Sequence, residues 1–427
     1  MKPIHVGLLG LGTVGGGTLT VLRRNAEEIT RRAGREIQVV RAAVRNVEKA
    51  KPLAGDLPLS TNPFDVVDDP DIDIVVELIG GLEPARELVM QAIQNGKHVV
   101  TANKHLVAKY GNEIFAAAQA KGVMVAFEAA VAGGIPIIKA LREGLTANRI
   151  EWLAGIINGT SNFILTEMRD KGAAFDDVLK EAQRLGYAEA DPTFDIEGID
   201  AAHKLTILSA IAFGIPMQFD RAYTEGISKL TREDVKYAEE LGYRIKLLGI
   251  ARRAAAGIEL RVHPTLIPAM NAVLVKGDAV GPTLYYGAGA GSEPTASAVV
   301  ADLVDVTRLH TADPHHRVPH LAFQPDQLAA TPILPMDEVR TAYYLRLRAF
   351  DRPGVLADIT RILADGEISI DAMIQKEPGE DEEQVDIILL THVTVEKNVN
   401  AALAKIEALD AVAGKVMRIR LETLTGR

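Results

Sequence analysis

Gly10-Leu11-Gly12-Thr13-Val14-Gly15 decides how the rest of the chain is read. It follows Ile4-His5-Val6-Gly7-Leu8-Leu9, a short apolar run with the character of a buried strand. It runs into Gly16-Gly17-Thr18-Leu19-Thr20-Val21-Leu22, the opening of a helix. Strand, G-x-G-x-x-G turn and helix make a dinucleotide-binding fingerprint. The first glycine permits a tight turn, the second lets backbone approach a pyrophosphate, and the third lets helix and strand pack closely. The helix N-terminus adds free N–H donors for phosphate. The same spelling also suits a glycine-rich turn that binds nothing. Its place between strand and helix at the head of the chain selects the cofactor reading.

The chain has 427 residues, enough for two to four domains. Its net charge of −10 argues against general nucleic-acid affinity, which wants a basic surface. No apolar run approaches the roughly 18 residues of a membrane span, and the N-terminus lacks a signal-peptide layout. A cytoplasmic location is expected. There are no cysteines, so disulfides, thiolate metal sites and a thiohemiacetal route are excluded. A redox enzyme built from this chain must act on a carbonyl/alcohol pair directly or by another non-thiol route.

Residues 37–44 read as a second strand. An NAD-selective fold places an acidic residue at its end, for the ribose 2′-hydroxyl. Here Arg45-Asn46 stand there, with Lys49 nearby. A guanidinium suits a 2′-phosphate, so NADP(H) is expected over NAD(H), against the plainer reading of a solvated arginine. Residues 73–81 read as a strand running into a glycine turn, 84–95 as a helix, and 97–104 as a strand that emerges onto Thr101, Asn103 and Lys104. Ligands bind beyond the carboxyl ends of such strands, which places these three near the nicotinamide. Residues 114–121 read as a helix and 123–127 as a strand. Residues 128–136 combine one carboxylate, small residues and two glycines. The loop suits a hard cation through oxygen ligands, or serves only as a connection into a helix.

From residue 149 the pattern changes. Residues 150–157 have strand character, Asn158-Gly159-Thr160-Ser161-Asn162 form a polar turn, and helices are expected at 163–170 and 175–185. The densest polar constellation follows at 186–205. Glu189, Asp191 and Asp195 lie in a loop, and a helix begins near Gly198. Asp200 and Lys204 are four apart and share one face of it. As a surface pair they contribute only about 0.2–0.5 kcal/mol. In a cleft, a lysine beside a carboxylate also serves as a proton donor to a developing alkoxide. His203 points elsewhere and reads as a packing or surface residue. Further strands are expected at 222–227, 243–251 and 258–262, with a helix at 232–241. They suggest a mixed sheet in a substrate and dimerisation domain. A second glycine-rich turn, 288–291, precedes a helix at 295–309. Residues 311–336 are proline-rich, carry His315, His316 and His320, and read as a solvated linker. The last segment reads strand 343–350, helix 355–364, strand 368–375, acidic loop 377–383, strand 385–395, helix 398–409 and strand 415–421, a ferredoxin-like βαββαβ order.

Together these motifs resemble the homoserine dehydrogenases, in the monofunctional form with a C-terminal ACT domain. The residues that carry the resemblance are 10–15, Thr101-Ala102-Asn103-Lys104, 128–136, 158–162, 186–191 and 195–204. Asp351-Arg352-Pro353-Gly354-Val355-Leu356 resembles the first turn of ACT modules. The resemblance spans essentially the whole chain. It implies an α/β architecture: a Rossmann domain at 1–135, completed by a returning helix near 295–310, an α+β substrate and dimerisation domain at 136–310, a linker at 311–340 and an ACT domain at 341–427. The activity implied is reversible NAD(P)H-dependent reduction of L-aspartate 4-semialdehyde to L-homoserine, in threonine, methionine and isoleucine biosynthesis.

Residue by residue, the resemblance makes Lys204 the general acid/base, with Asp200 beside it and Lys104 near the reacting centre. Glu189 becomes the ligand of the substrate ammonium, supported by Asp195, with Thr160 and Tyr187 in the substrate site. Gly10, Gly12, Thr13, Val14, Gly15, Arg45, Thr101, Asn103, Lys104, Gly186 and Gly291 become cofactor contacts. A sodium ion is implied, held by the Glu128 side chain and the backbone oxygens of Val131, Gly133 and Ile135. The ACT module implies feedback by an amino acid, most often L-threonine, with Asp351 and Gly354 marking a candidate effector edge. A homodimer or homotetramer is expected, with no nucleic-acid or membrane partner. Two alternatives are a dehydrogenase of another amino-acid-like carbonyl and a non-catalytic amino-acid sensor. The Asp200/Lys204 pair and the acidic loop disfavour the sensor, which needs neither.

Overall fold

The computed structural model describes residues 2–267, 273–278, 281–285, 291–310, 318–375 and 383–422. The expected turn at 288–290, residues 311–317 with His315 and His316, and acidic-loop residues 377–382 lie outside the described residues. The chain divides into two units. One comprises Met1–Leu153, Ala202–Asp220 and Ala272–Thr331, the other Ala154–Ala201, Arg221–Asn271 and Pro332–Arg427.

The first unit is built on six short strands: β1 (Ile4–Leu9), β2 (Ile37–Ala43), β3 (Leu59–Ser60), β4 (Ile74–Glu77), β5 (His98–Thr101) and β6 (Val125–Ala126). They lie in the order β3-β2-β1-β4-β5-β6, with every neighbouring pair parallel. Central strands such as Ile74-Val75-Val76 are apolar throughout because helices cover both faces of a parallel sheet. The strand order reverses between β1 and β4, which opens a crevice at their carboxyl ends. The helix Ser292–Leu309 packs against the helix Thr13–Arg24. Ala296, Val299 and Leu303 share a core with Ile4, Val6 and Leu19.

Two expectations in this unit need correction. Strand 97–104 and helix 114–121 are really β5, ending at Thr101, and one long helix, Lys104–Lys121. The Asn103 side chain accepts from Leu106 N (3.1 Å) and starts the helix early. Gly111 and Asn112, ahead of the expected start at 114, sit inside it. Gly111 leaves room for Met217, whose Cγ would stand 3.3 Å from an added Cβ, while Asn112 pairs with the Met217 backbone in both directions. Nor is the described part of 311–336 solvated throughout. His320 is buried, stacks on Phe115 (5.0 Å) and accepts from Val125 N (3.0 Å), satisfying the edge strand β6.

In the second unit, strands Arg244–Ala254 and Gly257–Ile267 form a long antiparallel hairpin. The segment after residue 331 joins it, through Ile258 N to Pro332 O and Leu334 N to Ile258 O, both 2.8 Å. The strand expected at 222–227 is only Tyr223–Thr224, because Ile227 N turns to bond Ile196 O (2.8 Å). The C-terminal part has strands Arg340–Phe350, Ile370–Gln375, Gln384–Thr391 and Val412–Leu421, and helices Val355–Asp365 and Glu396–Glu407. This is the expected βαββαβ order, with antiparallel pairings throughout. Alternate residues of Arg340–Phe350 (Tyr343, Leu345, Leu347, Ala349) face a core with Ile359, Leu363, Val399 and Ile406. Strand Val412–Leu421 also pairs in parallel with Gly257–Ile267, through Thr265 with Arg420 and Leu266 with Leu421. The sheet of this unit is therefore mixed.

Candidate active site

The glycine turn has the shape its spelling demands. Gly10 sits at φ +100°, and a Cβ on Gly15 would stand 2.1 Å from the Gly10 carbonyl oxygen. Only glycine lets helix and strand approach so closely. Gly12 faces open space, with nothing within 4 Å of an added Cβ. Gly12 and Gly291 are the N-caps of Thr13–Arg24 and Ser292–Leu309, and neither helix start is capped by a side chain. The two starts are joined, with the Ser292 hydroxyl donating to Thr13 O (2.9 Å). Two neighbouring helix N-termini with free N–H groups make a strong anion site. Beyond β2, Arg45 is exposed and has no ionic or hydrogen-bonded partner among the described residues.

At the ends of β4 and β5 the scaffold rests on a carboxyl group the sequence did not single out. Glu77 is fully buried and accepts from Ile79 N and Gly80 N (both 3.0 Å) and from the Thr101 hydroxyl (2.6 Å). Burial pushes its pKa up, while these three donors pull against the rise. Thr101 in turn accepts from Asn103 N, and the Asn103 amide donates to Gly81 O (2.7 Å). The Thr101 and Asn103 side chains thus hold the Gly80-Gly81 turn and the start of the next helix. Glu77 was legible only as one polar residue closing an apolar strand.

Lys104 is the first residue of its helix and half-buried, as is Lys204. Their neighbours His105 and His203 stack at 4.6 Å, and His203 stacks in turn on Phe219 at 4.3 Å. The histidine pair ties the start of Lys104–Lys121 to the helix Ile199–Phe213 that carries Lys204. Burial, and then the charges of Lys109 and Lys104, push the His105 pKa down. His203 is accordingly a packing residue, and it fixes the element bearing Lys204.

In the second unit, Asn158 organises the acidic loop. Its amide nitrogen donates to Asp195 Oδ1 (2.7 Å) and to Asp200 Oδ2 (2.8 Å). Its oxygen accepts from Ser161 N (2.8 Å), capping helix Gly159–Lys171. The Ser161 hydroxyl donates to Asp195 O (2.8 Å). Asn158 and Asp200 are buried. Asn158 lay in a quoted motif, but its role as a bridge between two carboxylates needs tertiary structure. Asp191 accepts from the Thr193 backbone and hydroxyl, which hold its carboxyl below the usual range. Glu189 is exposed, with its backbone oxygen bound by the Gln183 amide (3.1 Å). The Thr160 hydroxyl donates to Tyr187 O (2.9 Å), and the exposed Tyr187 ring lies 4.6 Å from Phe163. Gly186 ends the preceding helix at φ +78°.

The loop at 128–136 and the helix Ser292–Leu309 bring together a buried carboxyl pair. Glu128 accepts from Ile138 N (2.9 Å) and Lys139 N (2.8 Å), and its own N–H donates to Asp302 (2.8 Å). Burial lifts the Glu128 pKa to about 7, against the pull of those N–H groups, and lifts that of Asp302 well above the ordinary range. Ala132 and Gly133 take positive φ (58° and 52°). Ile135 O accepts from Ile137 N (2.8 Å), and no hydrogen bond to the Val131 or Gly133 oxygens is present among the described residues. Each Glu128 oxygen keeps a lone pair beyond its one N–H donor. The donor set is one carboxylate plus carbonyls, all oxygen, as a hard cation of low charge requires. At the other end of the chain, Gly354 is the N-cap of Val355–Asp365 at φ +96°, and exposed Asp351 accepts from the Gln375 amide at 3.4 Å.

Residues 10–128 match the homoserine dehydrogenase NAD-binding domain, 136–304 the homoserine dehydrogenase family and 343–411 the ACT domain. The homoserine dehydrogenase of Pseudomonas aeruginosa is 65% identical over 99% of this chain and all of its own. That of Neisseria gonorrhoeae is 62% identical with the same coverage. A crystal structure of a homoserine dehydrogenase from Thiobacillus denitrificans is 90% identical, covers 100% of this chain and 99% of its own, and superposes with a TM-score of 0.96. A glycine turn between two free helix starts, a carboxylate loop gathered by one asparagine and full-length likeness agree: the chain belongs to the homoserine dehydrogenase family, as an NAD(P)-dependent oxidoreductase with a C-terminal ACT domain.

Proposed function

We propose that Lys204 handles the proton in the family's reaction, the reversible reduction of L-aspartate 4-semialdehyde to L-homoserine. Bound NADPH supplies the hydride that adds to the aldehyde carbon. Lys204, directly or through water, gives a proton to the nascent alkoxide oxygen and takes it back in the oxidation. Asp200, one turn away on the same helix, holds the lysine ammonium, and the charges of Lys104 and Lys204 stabilise the oxyanion. Glu189 receives the substrate ammonium, with Asp195 in support and Thr160 and Tyr187 shaping the loop. The observation that carries this reading is the Asn158 amide bonded to both Asp195 and Asp200, which fixes the loop relative to the start of the Lys204 helix.

Gly10, Gly12, Thr13, Val14, Gly15 and Gly291 cradle the pyrophosphate, and Thr101, Asn103, Lys104 and Gly186 complete the cofactor site. The free Arg45 guanidinium supports a preference for NADP(H), since a 2′-phosphate would supply the partner it lacks. Glu128, Val131, Gly133 and Ile135 hold a sodium ion that fixes the turn around them. The ACT domain provides feedback by L-threonine, with Asp351 and Gly354 at the effector edge. The same reading includes a homodimer or homotetramer working in the cytoplasm. It divides the chain into a Rossmann part (1–135), a substrate part (136–310) and an ACT part (341–427).

The test is Lys204→Ala. Homoserine oxidation should fall by about 10²–10⁴ in kcat while NADPH still binds with wild-type affinity by fluorescence titration. Near-normal turnover would remove Lys204 from the chemistry.

A further inference from the structure

Glu77 closes β4 in the middle of the parallel sheet. It lies beside Leu9 of β1, the residue before the glycine turn, and beside Thr101 of β5. Its side chain is fully buried. One carboxyl oxygen accepts from Ile79 N and Gly80 N, the other from the Thr101 hydroxyl. All three donors are neutral, and no ionic partner of Glu77 is present among the described residues.

These contacts are those of a carboxylate. Each one directs a hydrogen at the group, and Thr101 Oγ1 already accepts from Asn103 N (3.0 Å). A proton on Glu77 would turn one of the donors away. Burial opposes ionisation, and the donors work against that rise. Holding the 79–81 turn does not itself require a charge. A glutamine oxygen would accept from the same two N–H groups. A carboxylate buried without a cation is costly, so its effect is to be sought in the crevice above it.

The cover over Glu77 is thin. Gly80 and Gly81 take φ +71° and +74°, and a Cβ added to either would meet nothing within 4 Å. The same turn abuts the glycine fingerprint, since a Cβ on Gly10 would stand 3.0 Å from Leu78 O. The carboxylate thus lies beneath bare backbone where β1 and β4 diverge, the place a dinucleotide crosses such a sheet. The nicotinamide ring is neutral when reduced and carries one positive charge when oxidised.

We propose that Glu77 sets the redox preference of the cofactor site: its buried carboxylate favours the oxidised, positively charged nicotinamide over the reduced, neutral one without touching either. The inference rests on the placement of the nicotinamide beside Thr101, Asn103 and Lys104. A unit charge acting over about 10 Å through an effective dielectric of about 20 changes an affinity by roughly tenfold. Positive charge also builds on the ring as hydride leaves with its electron pair, so the same carboxylate favours hydride donation to the aldehyde carbon.

The experiment is isothermal titration of the full-length enzyme, without substrate, with NADP⁺ and with NADPH as separate probes. In Glu77→Gln the ratio of the two dissociation constants, oxidised over reduced, should rise by roughly tenfold. NAD⁺ and NADH carry the same ring and should show the same rise, whatever the 2′-phosphate contributes. A role confined to holding the turn would weaken both forms alike and leave the ratio at its wild-type value, which overturns the proposal. Thermal unfolding reports whether Glu77→Gln keeps its fold. Ile79→Lys gives a check outside the core, because Ile79 is exposed and its side chain sits at the Gly10 turn. A cation there opposes the carboxylate and should raise the same ratio, whereas neutral Ile79→Gln should not. An unmoved ratio in Ile79→Lys also overturns the proposal, since the ring would then lie out of reach of this turn. Gly12→Ala separates the two ways of failing. If it too leaves both affinities unchanged, the cofactor site itself is misplaced; if it weakens both while the Glu77→Gln ratio stays put, the charge argument alone is wrong.

Discussion

Asn158→Asp is the substitution that separates loop positioning from simple folding. Asparagine and aspartate cap helices about equally well, so the bond from Ser161 N to residue 158 survives the change. What is lost is the amide donor that stands 2.7 Å from Asp195 and 2.8 Å from Asp200. Hydrogen bonds to charged groups contribute about 1.5–3 kcal/mol each, so losing two removes at least about 3 kcal/mol from the loop geometry. If the loop geometry matters as much in the transition state, kcat/KM falls by about two orders of magnitude. The variant also puts a third carboxylate against two others, and like charges at this separation force at least one to hold a proton.

The two effects predict a pH signature. Asn158→Asp should be nearly inactive at pH 8 and regain activity as pH falls and the cluster takes up a proton, which restores a donor between the acids. Asn158→Ala loses the donor for good, loses about 1 kcal/mol of cap as well, and should show the defect without the recovery. The assay is homoserine oxidation under saturating NADP⁺ across pH 6–9, with thermal unfolding of each variant as the folding control. Wild-type activity of Asn158→Asp at pH 8 would refute the reasoning, because the bridge would then have no part in placing Asp200.

Four further outcomes are expected. Arg45→Ala should raise the KM for NADPH by about 10–100-fold, the loss of one charge-assisted contact, and leave that for NADH nearly unchanged; equal effects on both would sink the 2′-phosphate argument. Gly12→Ala should keep wild-type stability but lose cofactor affinity, since its Cβ enters open space; Gly15→Ala, with its Cβ 2.1 Å from the Gly10 oxygen, should lose about 1–3 kcal/mol of stability as well, read by thermal unfolding and NADPH titration. Sodium should stabilise the enzyme more at pH 8 than at pH 6: burial holds the Glu128 pKa at about 7, so without a cation the folded state keeps a proton that the unfolded state releases, and stability falls as pH rises from about 4.5 to 7, whereas a cation favours the ionised form. At about ten times its Kd, sodium should raise Tm by about 1–2 °C at pH 8 relative to choline at equal ionic strength. Arg420→Met should lose about 3 kcal/mol, the low end for a broken buried pair, because Glu396 would lose its bidentate partner and keep only Arg418, and Glu225 would lose the cation that holds its pKa down.

What the sequence made legible was local. Residues 4–22 carry strand, turn and helix start within one short stretch, and each glycine there has a backbone reason to be glycine. The alternation in 343–350 and the turn at 351–354 likewise state their own strand and helix. Misreadings arose where a distant residue decides. Gly111 and Asn112 lie ahead of the helix expected at 114–121 and inside the one observed, packed on Met217. His320 looks solvated until Val125 N is seen to need an acceptor. Glu77 looks like the polar end of a strand until two backbone N–H groups and Thr101 converge on it. Asn158 sits 37 and 42 positions from the carboxylates it joins, and no periodicity spans such a gap. The acids themselves were identifiable by type; the groups that aim them were not.

The ACT domain is a case in which the local pattern is correct and its consequence is invisible to it. Its βαββαβ order describes a free-standing module, yet its edge strand Val412–Leu421 is also paired in parallel with Gly257–Ile267. Among the described residues, two pairs, Thr265 with Arg420 and Leu266 with Leu421, make that junction. Alone it would be weak, but side chains reinforce it on both sides. Arg420 binds Glu396 within the ACT domain and Glu225 beyond it. Arg261, fully buried, reaches Glu259 on its own strand and Glu422 on the ACT strand, and Arg252 holds the other Glu422 oxygen. The Arg261 guanidinium also lies 2.7 Å from His263 Nε2, whose pKa burial and then Arg420, Arg261 and Arg418 drive well down, so the imidazole accepts as a neutral ring. Apolar pairs would have joined the strands at no desolvation penalty. Charged groups fix one register, because any slip parts Glu225 from Arg420 and leaves Glu422 buried without Arg261. A module held this way cannot change its sheet geometry independently of residues 225–230, and those residues hold the loop that carries Asp195. An effector bound to the ACT domain therefore needs no flexible linker to reach the loop that carries Asp195, only a shift in one shared, charge-locked strand pair.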